Sequence, residues 1–425
     1  MKKLKSIMPI YIIINLLYIL IGNFLVTNKN INYKLYSKGY IVLLIINLLI
    51  IITNIIIKII KKEKIKFKIT DLLTIIITIL GIISTIFAIK QNVALFGHSG
   101  RFEGLFTICY YFSLFILSSN VEKKYKKLIS YSILVVGLIN YIYAFLQVND
   151  FFSFIVRRYR FKEIWATGLV YNPNFLAELM LICLSLSLGL YIENKNRIEK
   201  IIDILFIFCF YSGLLISNTM SCFVGLMAVI IYFLFYLIRE KKYKKIIILL
   251  IIIPTTIYYA CIGQTTILSD YIKTGTEIKE ISKGNIQENF GTNRMFIWKN
   301  TLKIVPKYII HGAGIDNFYY AFGDKPLSRK RVSTNTTVVF DKAHNEYLQI
   351  LVCEGIFCLI AYLVFYAIIV ITGIKNSLKN KSIYLILPII GYLVQAFFNI
   401  SVISVAPIFY ILLGLNIERE KLTKK

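Results

Sequence analysis

Apolar and polar positions along this chain come in long blocks, not in the short periods of a water-facing domain. A run such as IVLLIINLLIIITNIIIKII (41–60) stays apolar for about 20 residues, the length a helix needs to cross a bilayer. Counting runs of roughly 17–25 residues predicts about twelve spans, near 7–26, 39–60, 70–90, 104–119, 127–147, 168–192, 201–217, 220–238, 246–263, 344–374, 383–400 and 402–417. The expected fold class is therefore all-α, a polytopic membrane protein with about 12 transmembrane helices. Residues 1–263 would hold spans one to nine with short loops. Residues 264–342 would form one long connection with amphipathic helices, and 343–425 the last three spans and a tail.

The polar blocks give the orientation. Cationic clusters recur at every second connection: Lys2, Lys3 and Lys5, then Lys61 to Lys68, Lys123 to Lys127, Lys195 to Lys200, Arg239 to Lys245, Lys375 to Lys381 and Arg419 to Lys425. Cytoplasmic loops are enriched in this way, which puts both termini in the cytoplasm and 264–342 outside. Lys29, Lys34 and Lys38 depart mildly from the alternation. The first apolar run, Ile7 to Val26, is long for a signal sequence and no small-residue cleavage site follows it, so it is expected to remain as a span.

Composition then narrows the class. A formal charge of +27 on a chain that is 57% hydrophobic could signal nucleic acid, but clustering between apolar runs assigns the lysines to membrane topology instead. All seven cysteines sit in or beside apolar runs without metal-ligand spacing, as expected of reduced packing residues. No phosphate loop, dinucleotide fingerprint or zinc motif occurs, and no internal repeat of the kind many transporters carry. The heavy use of Ile, Lys, Asn and Tyr matches an AT-rich bacterial genome.

Candidate chemistry concentrates in the outer connections. Basic residues there run against the topology rule and need a local reason. Paired, charge-assisted hydrogen bonds to a diphosphate are one, and lipid headgroups are another. Arg101 lies among Gly97, Gly100 and Gly104; Arg157, Arg158 and Arg160 sit in 148–167; Arg294 opens a stretch whose Met295, Trp298, Leu302 and Val305 have the spacing of a helix lying on the membrane. In TGLVYNPNFLAEL, Asn172, Pro173 and Asn174 are expected to interrupt the first turn of a span, and Glu178 falls inside it. His344 stands where the long connection meets the tenth span, followed by Asn345. An imidazole at such a mouth suits a general base, and an interfacial helix cap suits it equally. His98 and His311 compete for the base role, although His311 precedes Gly312 and Gly314 in a turn sequence.

Five segments together resemble the O-antigen ligase and O-antigen polymerase superfamily of bacterial membrane glycosyltransferases. They are GRFEGLF (100–106), YNPNFLAE (171–178), NRMFIW (293–298), HGAGIDNF (311–318) and HNEYLQILVCEG (344–355). His344, Asn345 and Gly355 fit the ligase pattern of His, then Asn, Ser or Gln, then nine residues and Gly, with Cys358 departing from the usual Gly, Thr or Tyr. The resemblance implies a metal-independent enzyme without cofactors, in the bacterial cytoplasmic membrane. It would take a glycan from an undecaprenyl-diphosphate-linked oligosaccharide donor and pass it to a hydroxyl of a glycan, lipid or protein acceptor. His344 would deprotonate that hydroxyl and Arg294 would neutralise the diphosphate. In ISNTMSCFVGL, Met220 stands where many members have Arg, so Arg101 or the group Arg157, Arg158 and Arg160 would substitute. Asn174, Glu178, Trp298, Asn345 and Gly355 would support the site. A chain-length regulator or a flippase would be natural partners, and surface-polysaccharide polymerase the first choice over ligase. The alternative class is a lipid-linked glycan flippase or polysaccharide transporter, which would need the arginines but no base; a non-catalytic membrane scaffold is a third.

Overall fold

A computed structural model describes residues 2–27, 33–62, 67–149, 166–249, 252–254, 275–277, 279–280, 282–285, 287–330 and 336–417. The molecule is mostly helical. In chain order the helices are α1 (Lys2–Thr27), α2 (Tyr33–Ile60), α3 (Ile69–Ile86), α4 (Gln91–Phe96), α5 (Leu105–Ser119), α6 (Lys123–Val148), α7 (Pro173–Glu193), α8 (Arg197–Ser217) and α9 (Met220–Arg239). After them come α10 (Arg294–Tyr308), α11 (Phe318–Ala321), α12 (Glu346–Glu354), α13 (Ile356–Asn380), α14 (Ile386–Gln395) and α15 (Ala406–Asn416).

Among the described residues, eight helices are long and apolar enough to cross a membrane, against about twelve expected spans. Three further apolar helices, α5, α14 and α15, are shorter, and most of the expected ninth span lies outside the described residues. The helices are apolar outward and partly polar inward. On α2 the exposed Ile45, Leu49, Ile52, Ile56 and Ile59 recur every three or four residues, a stripe made for acyl chains. Its buried face instead carries Asn47, whose amide donates to Ser113 on α5 at 2.9 Å. Helix α7 is apolar on every side and almost wholly buried, as an all-round hydrophobic helix must be. Its Ser185 and Ser187 hydroxyls donate back to the carbonyls of Leu181 and Cys183, so small residues admit neighbouring helices without leaving buried donors.

The expected tenth span, 344–374, is two helices. Gly355, with φ +88°, ends α12 and starts α13, and a Cβ there would collide with the Ile310 carbonyl. The carbonyls freed by the break are taken up within the protein. Ala313 N donates to Val352 O at 2.9 Å, Gly314 N to Cys353 O at 3.0 Å, and the Ser84 hydroxyl also to Cys353 O, at 2.7 Å. Irregular backbone at such depth survives only with partners of this kind.

Two local expectations are corrected and one, for α10, is made specific. Asn172, Pro173 and Asn174 start α7 instead of interrupting it: Asn172 is the N-cap, its side chain accepting from Asn174 N, and Pro173 opens the helix, where a missing N–H does no harm. On α10 the buried face runs through Ile297, Thr301 and Tyr308, while Leu302 is 58% exposed. The chain is also not purely helical, since Ser328–Lys330 (β1) and Thr337–Val339 (β2) pair antiparallel, the second strand being wholly β-branched.

Candidate functional site

Three segments are tied together at one end of the bundle, 97–104, 311–317 and 341–345, and the charge of Arg294 from 291–294 reaches His344 among them. The first is a tight loop. Gly97 and Gly100 have positive φ, and side chains at Gly97 or Gly104 would strike the loop's own backbone, so the glycines around Arg101 do give it a compact support. Asp316 staples this loop from outside. One carboxylate oxygen accepts the backbone N–H of His98 at 2.6 Å and of Glu103 at 3.2 Å, and the other pairs with the buried ammonium of Lys342.

The segment before α12 is pinned residue by residue. Asp341 receives Arg101 in a two-pronged pair, Nε to Oδ2 at 2.7 Å and Nη2 to Oδ1 at 3.3 Å. Ala343 gives its N–H to Gln349 Oε1 at 2.9 Å and takes the Trp298 indole N–H on its carbonyl at 3.0 Å. Asn345 caps α12, its side chain accepting from Leu348 N at 3.0 Å. Between these anchors His344 sits half-buried in the left-handed backbone region, φ +50°. Histidine tolerates that region better than most residues.

Among the described residues, Arg294 is held by neutral acceptors only. Nε donates to Phe398 O at 3.1 Å, and Nη1 to Gly291 O at 3.2 Å and Thr292 Oγ1 at 2.8 Å. No carboxylate within the described residues pairs with it. Asn399, the neighbour of Phe398, donates to the buried Glu178 at 2.9 Å, so Glu178 stands behind the arginine rather than at a mouth. Burial and the cations Arg294, Arg101 and Lys342, opposed by Asp341, pull the imidazole of His344 down to about 4. The ring is thus neutral, and open to a proton, at neutral pH.

Behind Lys342 lies a cavity of about 60 Å³, lined by Glu103, Asp316, Lys342, Glu346, Glu354 and Tyr410 among others. That is room for a few water molecules. Glu103 accepts the Tyr111 hydroxyl at 2.6 Å and the Ser401 hydroxyl at 3.0 Å. Burial outweighs Lys342 and these donors and raises its carboxyl to about 7.

The structure thus gathers His344, Asn345, Arg101 and Trp298 around the bonded 341–345 segment, with Arg294 close enough for its charge to act on the His344 imidazole and Glu178 one step behind the arginine. Asn174 serves the start of α7, and its neighbour Phe175 lies 6.0 Å under the Arg101 guanidinium. Gly355 works at the far end of α12 as the break. Arg157, Arg158 and Arg160 lie outside the described residues. Of the competing histidines, His311 bonds its Nδ1 to Gly312 O at 2.8 Å and stacks on Phe87, while His98 packs against Tyr319 and Tyr320. Asp341, Asp316, Lys342 and Glu103 were not singled out from sequence. The signal was present in DKAH, where two opposite charges precede the histidine in an outer connection.

The architecture and the buried polar constellation define a polytopic helical membrane protein with a built site at one end. The O-antigen ligase family model matches residues 204–363, a stretch containing Arg294, Trp298, His344, Asn345 and Gly355, so this part of the chain is similar to that family and supports the resemblance read from the sequence. No curated protein matches it.

Proposed function

We propose that the chain is a glycosyltransferase of the outer face of the cytoplasmic membrane, moving a glycan from an undecaprenyl-diphosphate carrier to an acceptor hydroxyl, as a surface-polysaccharide polymerase or an O-antigen ligase. Both termini are cytoplasmic on this proposal, and 264–342 faces outward. The observation that carries it is the pairing of a neutral, pinned His344 with an Arg294 that has no acid partner among the described residues.

His344 takes the acceptor's hydroxyl proton as that oxygen attacks the anomeric carbon. The bond from this carbon to the diphosphate breaks, and the diphosphate leaves with the electron pair. Arg294, already oriented by Phe398 and Gly291, stabilises the charge that develops. Arg101 reinforces it from the neighbouring loop, and Arg157, Arg158 and Arg160 are further phosphate contacts. The same cations that depress His344 in the unliganded protein are offset when a diphosphate binds them. Donor binding therefore makes the imidazole a stronger base, so proton abstraction is favoured only with donor in place.

The test is turnover of lipid-linked glycan extracted from the producing cells. His344→Ala should remain inserted and abundant but lose transfer. Full transfer by that variant would sink the base assignment and favour a flippase or transporter.

A further inference from the structure

The ammonium of Lys342, two residues before His344, is 4% exposed and paired with an Asp316 carboxylate that is wholly buried. Burying such a pair stabilises little by itself, since the desolvation of both ions opposes their attraction. The pair also joins three separate segments, because Asp316 holds the backbone of His98 and Glu103 as well. Glu103 faces the same ammonium across the cavity wall. Hence Lys342 cannot shift without disturbing both the Arg101 loop and the 341–345 segment.

We propose that Lys342 is a positioning residue for the base: anchored by Asp316 and faced by Glu103, its buried ammonium fixes the backbone of the His344 segment and holds a permanent positive charge behind the imidazole. This rests on His344 acting as the base. The groups facing the imidazole are Arg294 from α10, Arg101 from the 97–104 loop, and Asp341 and Lys342 from its own segment. Arg294 and Arg101 lie on the side proposed for the diphosphate, so a bound donor offsets them. Lys342 is tied to Asp316 on the cavity side and keeps its influence throughout. It therefore limits how basic His344 becomes, which favours release of the proton after transfer.

Only three histidines occur in the chain, so nitrogen-15 histidine labelling of the full protein in lipid nanodiscs resolves each ring. His344 is assigned by its disappearance in His344→Gln. Removing the charge in Lys342→Met should move the His344 titration upward. Because Lys342→Met orphans a buried Asp316 and could misfold, Lys342→Met with Asp316→Asn is the companion variant, removing the pair as a neutral unit. It should match wild type in abundance and melting, because the side-chain carbonyl kept by Asp316→Asn can still accept from His98 and Glu103. Its His344 titration should move up less than in Lys342→Met, since the opposing charge goes too, and it should turn over extracted lipid-linked glycan at least about tenfold more slowly. An unmoved His344 titration, or full turnover in the double variant, overturns the assignment. Full turnover in His344→Gln overturns the base reading instead, whatever the lysine variants do.

Discussion

Arg101 and Arg294 approach the same histidine, yet they are built oppositely. The Arg101 guanidinium engages Asp341 through two bonds, and both side chains are about a quarter exposed. Arg294 is oriented by two carbonyls and a hydroxyl, which fix its geometry without pairing its charge to a carboxylate among the described residues. A cation paired with a carboxylate organises a protein, whereas one held by dipoles alone remains available for an anion. On the proposed function, the contrast favours Arg294 at the start of α10 as the main phosphate contact, with Arg101 in a supporting place.

The largest effect should come from the residue both arginines surround. His344→Ala should lower turnover by about 10²–10⁴-fold with normal insertion, measured on extracted lipid-linked glycan. Arg294→Ala should follow, at on the order of 3 kcal/mol or a hundredfold. Arg294→Lys should recover little of it, because an ammonium cannot keep the bonds to Phe398 and Gly291 while reaching a phosphate. Equal damage from Arg101→Ala and Arg294→Ala would break the comparison.

The Asp341 pair should respond more mildly. Asp341→Asn releases Arg101 from its carboxylate and should tighten donor binding a few-fold, read as a lower KM. A partly exposed pair is worth no more than about 1 kcal/mol, so stability should barely change. Looser donor binding in this variant would mean that Asp341 positions Arg101 for the phosphate instead of occupying it.

The smallest expected effect is on stability with pH. Burial raises Glu103 from 4.5 to about 7. Between those values the folded protein keeps a proton that the unfolded chain has released. The stability this group contributes is thus complete below about 4.5 and is lost as pH rises toward 7. Glu103→Gln should flatten that dependence, narrowing the melting difference between acidic and neutral buffer by a few degrees. An unchanged pH dependence would show that Glu103 is not buried as a proton-holding carboxyl.

Much of this was legible in the sequence because it depends on local chemistry. Bilayer-length apolar runs gave the helices, the exposed Ile45 to Ile59 stripe being one. Gly97, Gly100 and Gly104 gave the tight loop around Arg101. The order of GRFEGLF, NRMFIW and HNEYLQILVCEG carried the resemblance to the O-antigen ligase family, whose model matches the stretch holding the last two. What could not be read depends on pairing between distant segments. Asp316 and Lys342 are 26 positions apart in number, and nothing local says that one will neutralise the other. The break at Gly355 was hidden because apolar residues continue on both sides, and its carbonyl partners come from Ser84, Ala313 and Gly314. Asn172 and Pro173 were misjudged because a proline within an apolar stretch reads equally as a break or as a first turn.

The central claim is that Arg294 holds a lipid diphosphate beside His344 and thereby raises its basicity. It is tested most directly by titrating the histidine resonances of labelled protein in nanodiscs with and without undecaprenyl diphosphate. In wild type His344 should titrate near 4 alone and about one unit or more higher with the lipid, and in Arg294→Ala the lipid-induced rise should largely vanish. A His344 titration that ignores the lipid, or that rises equally without Arg294, would contradict it.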